Sequence, residues 1–296
     1  MGKEFAIQIA EKYQNLNLDE IWLLARRKEK LDSAKNEILK IKNAPKVKNF
    51  QIDPSGTEGS KNYKKILDDE FQKQAFSVDF LVNNAGFGTY GPFENTPVEK
   101  ELQMIELNCV SFTGICGYTL PFMKENSTII NTSSLASFAP LGNFAVYAAT
   151  KSFTLSFSIA LSAELKYRKI KVCALCPGSV STEFANVASN GARKEVLHGI
   201  EPEKVVSDCL KKAFKNKKIA VFRFKWKCSA FFSRFVSRFF VANFMYKNCK
   251  RPYKNLIIYA LFFSDIFFIS KNKFMFVYII FIIGTFFIFH LFMLIQ

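Results

Sequence analysis

The sequence predicts an α/β fold built on a doubly wound, mostly parallel sheet, and three observations carry that prediction. Short continuous apolar runs alternate with longer helical stretches over roughly the first 175 residues, the pattern of repeated strand–helix–strand units. The runs are four to six residues long, the length of strands. Two of them end in small or polar clusters, Asn83-Asn84-Ala85-Gly86 and Pro177-Gly178, where such sheets bind their ligands, at the carboxyl ends of strands.

Taken in order, Phe5, Ala6, Ile9, Ala10 and Tyr13 recur at helical spacing with Lys3, Glu4, Gln8, Glu11 and Lys12 between them. The chain thus opens inside an amphipathic helix, with no strand ahead of it. Residues 21–25 (IWLLA) are a strand, Arg26, Arg27 and Lys28 a basic turn, and 29–42 a charged helix. The alternation repeats with a strand at 47–52 ending at Asp53 and a polar helix at 58–74. It continues with a strand at 78–82, a helix over 98–118, a strand at 128–131, a helix over 145–167 and a strand at 171–175.

Charge placement excludes a nucleic-acid reader. Of the formal charge of +16, thirteen Lys and Arg against the single Asp265 from residue 217 onward account for +12, which leaves +4 for the first 216 residues. No zinc-finger or RNP pattern accompanies the basic tail. The seven cysteines lack the spacing of a disulfide scaffold and read as reduced and cytosolic. Cys173 and Cys176 form a CxxC inside an apolar strand with no second ligand pair, so no metal site is expected. Residues 1–13 are charged and amphipathic, unlike an export signal. The body is therefore expected in the cytoplasm.

The character changes after Lys217, where 19 of the 34 Phe residues fall. Residues 221–255 read as a basic and aromatic linker and 256–296 as a hydrophobic tail. Within the tail, 274–295 is 22 residues long and carries no charge apart from the one His290 can take up, and a bilayer span needs ~20 apolar residues. Lys271 and Lys273 would hold its start at the cytoplasmic face. Two readings stay open: a C-terminal transmembrane helix anchoring a cytoplasmic domain, or a product of AT-rich reading frame, since Phe, Ile, Lys, Asn and Tyr dominate it.

The chemistry concentrates between residues 134 and 151. Tyr147 and Lys151 lie at i and i+4 and so share a helix face. A phenol titrates near ~10, and a neighbouring ammonium favours the phenolate, which makes Tyr147 a usable proton donor and acceptor. Ser134, thirteen residues upstream, can hold a substrate carbonyl against the tyrosine, or it can serve as a cap, as Ser133 or Ser137 can.

The stretch NTSSLASFAPLGNFAVYAATKSF, with NNAG at 83–86, Asn108 in ELNCVSFTG, and Pro177-Gly178-Ser179-Val180-Ser181-Thr182, resembles the short-chain dehydrogenase/reductase family over roughly residues 2–220. The resemblance implies a Rossmann-type domain over 1–220 that transfers a hydride between a nicotinamide dinucleotide and a ketone, aldehyde or secondary alcohol. By it Tyr147 is the general acid and base, Lys151 lowers its pKa and bonds the nicotinamide ribose, Ser134 orients the carbonyl, and Asn108 anchors a proton-relay water. Asn83, Ala85, Gly86, Pro177, Gly178 and Thr182 line the cofactor, and Asp53 meets the adenine. It also implies dimers or tetramers through the helices of Asn108 and Tyr147. At the end of the second strand the acid usual in NAD-preferring members is replaced by Ala25, followed by Arg26 and Arg27. An arginine pairs a 2′-phosphate, so NADP(H) is favoured over NAD(H), with a solvated turn as the alternative role for Arg26.

The sequence departs from the family at its start. Gly2 aligns with the last glycine of the Thr-Gly-x-x-x-Gly-x-Gly turn that holds the pyrophosphate, and the preceding strand, central in the family's sheet, has no counterpart. The two strands beside it are expected to lose a ladder each and to border a slot. Two functions are therefore carried forward: an NADP(H)-dependent oxidoreductase, and a truncated remnant or membrane-associated binding protein lacking the phosphate cradle.

Overall fold

A computed structural model describes residues 1–194, 196 and 198–250. The hydrophobic tail at 256–296, with its expected span at 274–295, lies outside the described residues. Among those described, no helix is long and apolar enough to cross a membrane.

The described chain is an α/β fold with parallel sheets. Helix α1 (Gly2–Lys12) opens it, followed by β1 (Glu20–Ala25), α2 (Lys28–Ile38), β2 (Lys46–Gln51), α3 (Gly56–Lys73) and β3 (Val78–Asn83). Next come α4 (Val98–Ile105), α5 (Phe112–Thr119), β4 (Met123–Thr132), α6 (Ala145–Glu164) and β5 (Lys171–Leu175). The described residues end with α7 (Phe184–Ala188), α8 (Pro202–Phe214), β6 (Ile219–Ala220), α9 (Phe224–Phe232) and α10 (Arg238–Asn248). The expected helix over 98–118 is α4 and α5 joined by a widened, π-helical turn at Glu106–Ser111. The stretch 221–255, expected as a linker, is over its described residues mostly α9 and α10: Trp226, Val241 and Met245 are buried and pin both helices to the body.

The strands form two parallel sheets, β1 with β2, and a second in the order β3-β4-β5-β6. Apolar side chains of β4 and β5, including Ile129, Ile130, Ala174 and Leu175, are fully buried, each large one contributing about 1.5–3 kcal/mol. On one side Leu81, Ile129 and Val172 pack under Phe112 and Cys116 of α5 and Leu161 of α6. On the other, Ile130 and Leu175 meet Val205 and Leu210 of α8 and Phe5 and Ile9 of α1.

Helix α1 ties the two sheets together. Its Phe5 and Ile9 belong to the core over β4 and β5, while Ala6 and Ala10 pack with Ile38 and Val47 over β1 and β2. Across the sheets a run of rings does the same, with Trp22 of β1 at 5.0 Å from Phe76, which stacks on Phe122 at 5.3 Å. Between these two layers, β1 and β3 each have one ladder among the described residues. Their other edges border a cavity of about 1710 Å³ lined by Trp22 and Leu24 on one side and Phe80 and Val82 on the other. This explains why β1 and β3, although richer in apolar residues than β4, are only half-buried.

Candidate active site

The cavity continues from the slot to the carboxyl ends of β3, β4 and β5, where the sequence-predicted residues gather. Tyr147 and Lys151 occupy successive turns at the start of α6, and both line it. Apolar burial of Ala148, Leu155 and Leu161 presses α6 onto β4 and β5 and so fixes the height of the pair above the sheet. Lys151 is 5% exposed. Its Nζ donates to the Thr132 carbonyl at 2.9 Å and lies 6.0 Å from the Tyr147 ring centroid. Burial brings its pKa down from 10.5 to about 8, because the charged form is the one that loses hydration.

Asn108 sits in the π-helical turn, a feature frequent at functional sites. Its amide donates to the Phe87 carbonyl at 2.9 Å and to Thr150 Oγ1 at 3.1 Å, and its Oδ1 accepts from Phe87 N at 3.2 Å. The loop after NNAG is thereby clamped to the turn and to α6. Gly86 must be a glycine for the same reason. A Cβ there would stand 2.8 Å from Asn108 Oδ1 and 3.2 Å from Lys151 Nζ.

The three serines separate. Ser133 Oγ donates to the Lys151 carbonyl at 2.8 Å and Ser137 Oγ to the Ser134 carbonyl at 2.6 Å. Ser134 Oγ accepts from Ala136 N at 3.1 Å, capping the turn Leu135–Phe138. It therefore does cap, and because it only accepts in that bond its own O–H can still donate. Ser134 also lines the cavity.

Most of the residues expected to hold the cofactor line the same space. Gly2 starts α1, whose N-terminus faces the cavity beside Asn84. Ala85, Pro177, Gly178 and Thr182 line it as well, with Thr182 Oγ1 accepting from Phe184 N at 3.3 Å. Arg26 reaches the rim and pairs with Asp53 at 3.7 Å, both side chains being more than half exposed. Asn83 lines the cavity too, but its side-chain amide turns inward and donates to Cys116 Sγ and Asn131 Oδ1, each at 3.1 Å. Cys173 and Cys176 are buried in the core, with the Cys176 thiol pushed up to about 12 by burial.

Several residues of the site carry no signal in the sequence. Asn84 lies within the NNAG motif, and its Oδ1 is buried without a partner where α1 begins. Glu101 is buried at 4% exposure, accepts from Thr89 Oγ1 at 2.7 Å and has its pKa raised by burial, thereby holding the loop that delivers Tyr90. Tyr90, Phe144 and Phe184 cluster against Tyr147, and Met245 of α10 joins them in lining the cavity. The separation in sequence between residues 90 and 245 hid this apolar wall. Trp226 packs against Gly178, where a Cβ would fall 2.3 Å from the indole.

The short chain dehydrogenase family model matches residues 2–192. The chain belongs to that family. It is 30% identical over 148 residues to a probable short-chain type dehydrogenase/reductase of Helicobacter pylori, covering 48% of this chain and 55% of that protein. It is 36% identical over 141 residues to a probable NADP-dependent dehydrogenase of Haemophilus influenzae, covering 44% and 56%. The chain thus spans little more than half the length of these curated relatives. Among solved structures, the short-chain dehydrogenase from Sphingobium yanoikuyae in complex with NADPH superposes with a TM-score of 0.64 at 22% identity, over 76% of this chain and 86% of that one. That likeness establishes the shared Rossmann-type fold.

Proposed function

We propose that the protein is an NADP(H)-dependent oxidoreductase that reduces a ketone or aldehyde, or oxidises a secondary alcohol, with Tyr147 as general acid and base. The observation that carries this reading is the Lys151 ammonium, buried beneath Tyr147 and held by Thr132, at the foot of a cavity at the strands' carboxyl ends. A buried ammonium has no structural use there that an apolar side chain would not serve better; its use is electrostatic, drawing proton affinity out of the phenol.

The residues present fit a nicotinamide dinucleotide. The partnerless Asn84 Oδ1 awaits a donor, Gly86 keeps the space above Lys151 open, the N-terminus of α1 offers amides to a phosphate, and Arg26 at the rim suits a 2′-phosphate. The likeness to relatives whose names specify NADP and NADPH supports the same choice. A bound nicotinamide dinucleotide would supply the hydride. Ser134 holds the carbonyl oxygen, Tyr147 gives it the proton, and Lys151 stabilises the phenolate left behind. Tyr90, Phe144, Phe184 and Met245 favour an apolar body on the substrate.

Titration of the full chain with NADPH and NADH tests the cofactor assignment. Saturable binding of NADPH at least tenfold tighter than NADH is expected, with Arg26→Ala reducing that preference. Absence of saturable binding by either nucleotide overturns the reading and leaves a binding protein without its phosphate cradle.

A further inference from the structure

Helices α9 and α10 carry a surface that the proposed chemistry does not use. Phe224, Phe235 and Phe239 are 80%, 73% and 79% exposed, and Phe231, Phe240 and Tyr246 are exposed beside them. Soluble surfaces scatter large apolar side chains singly and seldom gather them like this. Interleaved with the rings are seven cations between residues 223 and 250, among them the exposed Arg223, Lys227, Arg234 and Arg238. No acid occurs anywhere between Asp208 and Asp265.

Exposed rings among cations, with acids excluded, match the interfacial zone of an anionic bilayer. Rings bury at headgroup depth, and Lys and Arg stems lie along them while their charges reach lipid phosphates. We infer that α9 and α10 form a docking surface that lies flat on an anionic lipid membrane. Charge complementarity commits the surface to lipid rather than to an apolar protein partner. The chain past residue 250 agrees: it continues for 46 residues, most of them apolar.

Docking also has a geometric consequence at the cavity. Asn143 donates to the Met245 and Tyr246 carbonyls at 3.3 and 3.0 Å, joining the end of α10 to the segment that leads into α6. Trp226 of α9 seats on Gly178. The lipid surface would therefore lie next to the apolar wall of Tyr90, Phe144 and Met245, suiting a substrate that partitions into the bilayer. That last step rests on the proposed reductase, whereas the docking itself does not.

The test uses the full chain and co-sedimentation with vesicles of phosphatidylcholine alone or with about 30% phosphatidylserine, a composition that sets the surface potential. Three proteins are compared: the parent, Phe224→Ser/Phe235→Ser/Phe239→Ser, and Arg223→Gln/Arg234→Gln/Arg238→Gln. The parent is expected to prefer the anionic vesicles, the phenylalanine variant to bind them at least tenfold more weakly, and the arginine variant to lose on the order of 100-fold. All six positions are exposed, so the thermal midpoint should not change. If a variant does not fold, a fluorescent amino acid at position 235 alone must be quenched by spin-labelled acyl chains.

Equal binding by all three proteins, or no quenching at 235, would place membrane contact in residues 251–296 and overturn the inference. So would variants that lose affinity for a short RNA duplex, or lose self-association, while vesicle binding stays unchanged. NADPH binding measured on the same samples reports on the enzyme reading separately.

Discussion

Lys151 bears an electrostatic cost for its burial. Holding its pKa near 8 rather than 10.5 costs about 3 kcal/mol of folding free energy wherever the ammonium is charged in both states, that is, below pH 8. Between pH 8 and 10.5 the folded protein releases the proton while the unfolded chain keeps it, so this penalty fades as pH rises. Lys151→Met removes the penalty, and it leaves the Thr132 carbonyl without that donor. The variant is expected to melt several degrees above the parent at pH 7, with the gap closing by pH 10, and to lose turnover. Thermal scans at the two pH values check this; a parent more stable than the variant at pH 7 would contradict it. The Tyr147–Lys151 pair was legible in the sequence because i and i+4 fix it locally. Glu101 and Asn84 were not legible, since their roles depend on burial and on partners from other segments.

At the scale of elements, Gly178 and Trp226 join the loop after β5 to α9. Gly178→Ala would drive a methyl into the indole at 2.3 Å, which must displace the helix. A loss of about 1–3 kcal/mol is expected, together with weaker NADPH binding, because the loop from Pro177 to Thr182 moves with it. Denaturant unfolding and a binding titration measure the two effects. A variant with parent stability would show that α9 yields without cost. Strand and helix positions over residues 20–175 were readable because apolar runs report local periodicity. The π-helical turn was hidden, since Glu106–Ser111 has helical composition and is widened by the bonds of Asn108 to Phe87 and Thr150. The two C-terminal helices were hidden as well, because few of their residues are buried and exposed phenylalanines mask the apolar periodicity of the rest.

Across the whole molecule, the parallel order was readable but the division into two sheets acts on stability in a way only the structure locates. The edges of β1 and β3 that face the cavity have no ladder among the described residues, and α1 with the Trp22–Phe76–Phe122 rings bridges the gap. Local opening tracks buried contacts. Hydrogen exchange should therefore find β1 and β2 opening as a unit well before β4 and β5, with protection of β4 at least tenfold greater. Uniform protection across all strands would mean the two sheets unfold together.

In the proposed reaction Tyr147, tuned by Lys151, gives up a proton within this cavity, and a bound nicotinamide dinucleotide phosphate would supply the hydride. This assignment is tested most directly by following NADPH oxidation with a bulky apolar ketone for the parent and for Tyr147→Phe. Turnover by the parent, a loss of at least about 100-fold in kcat for the variant and an unchanged NADPH affinity are expected. Turnover by Tyr147→Phe near that of the parent would contradict it.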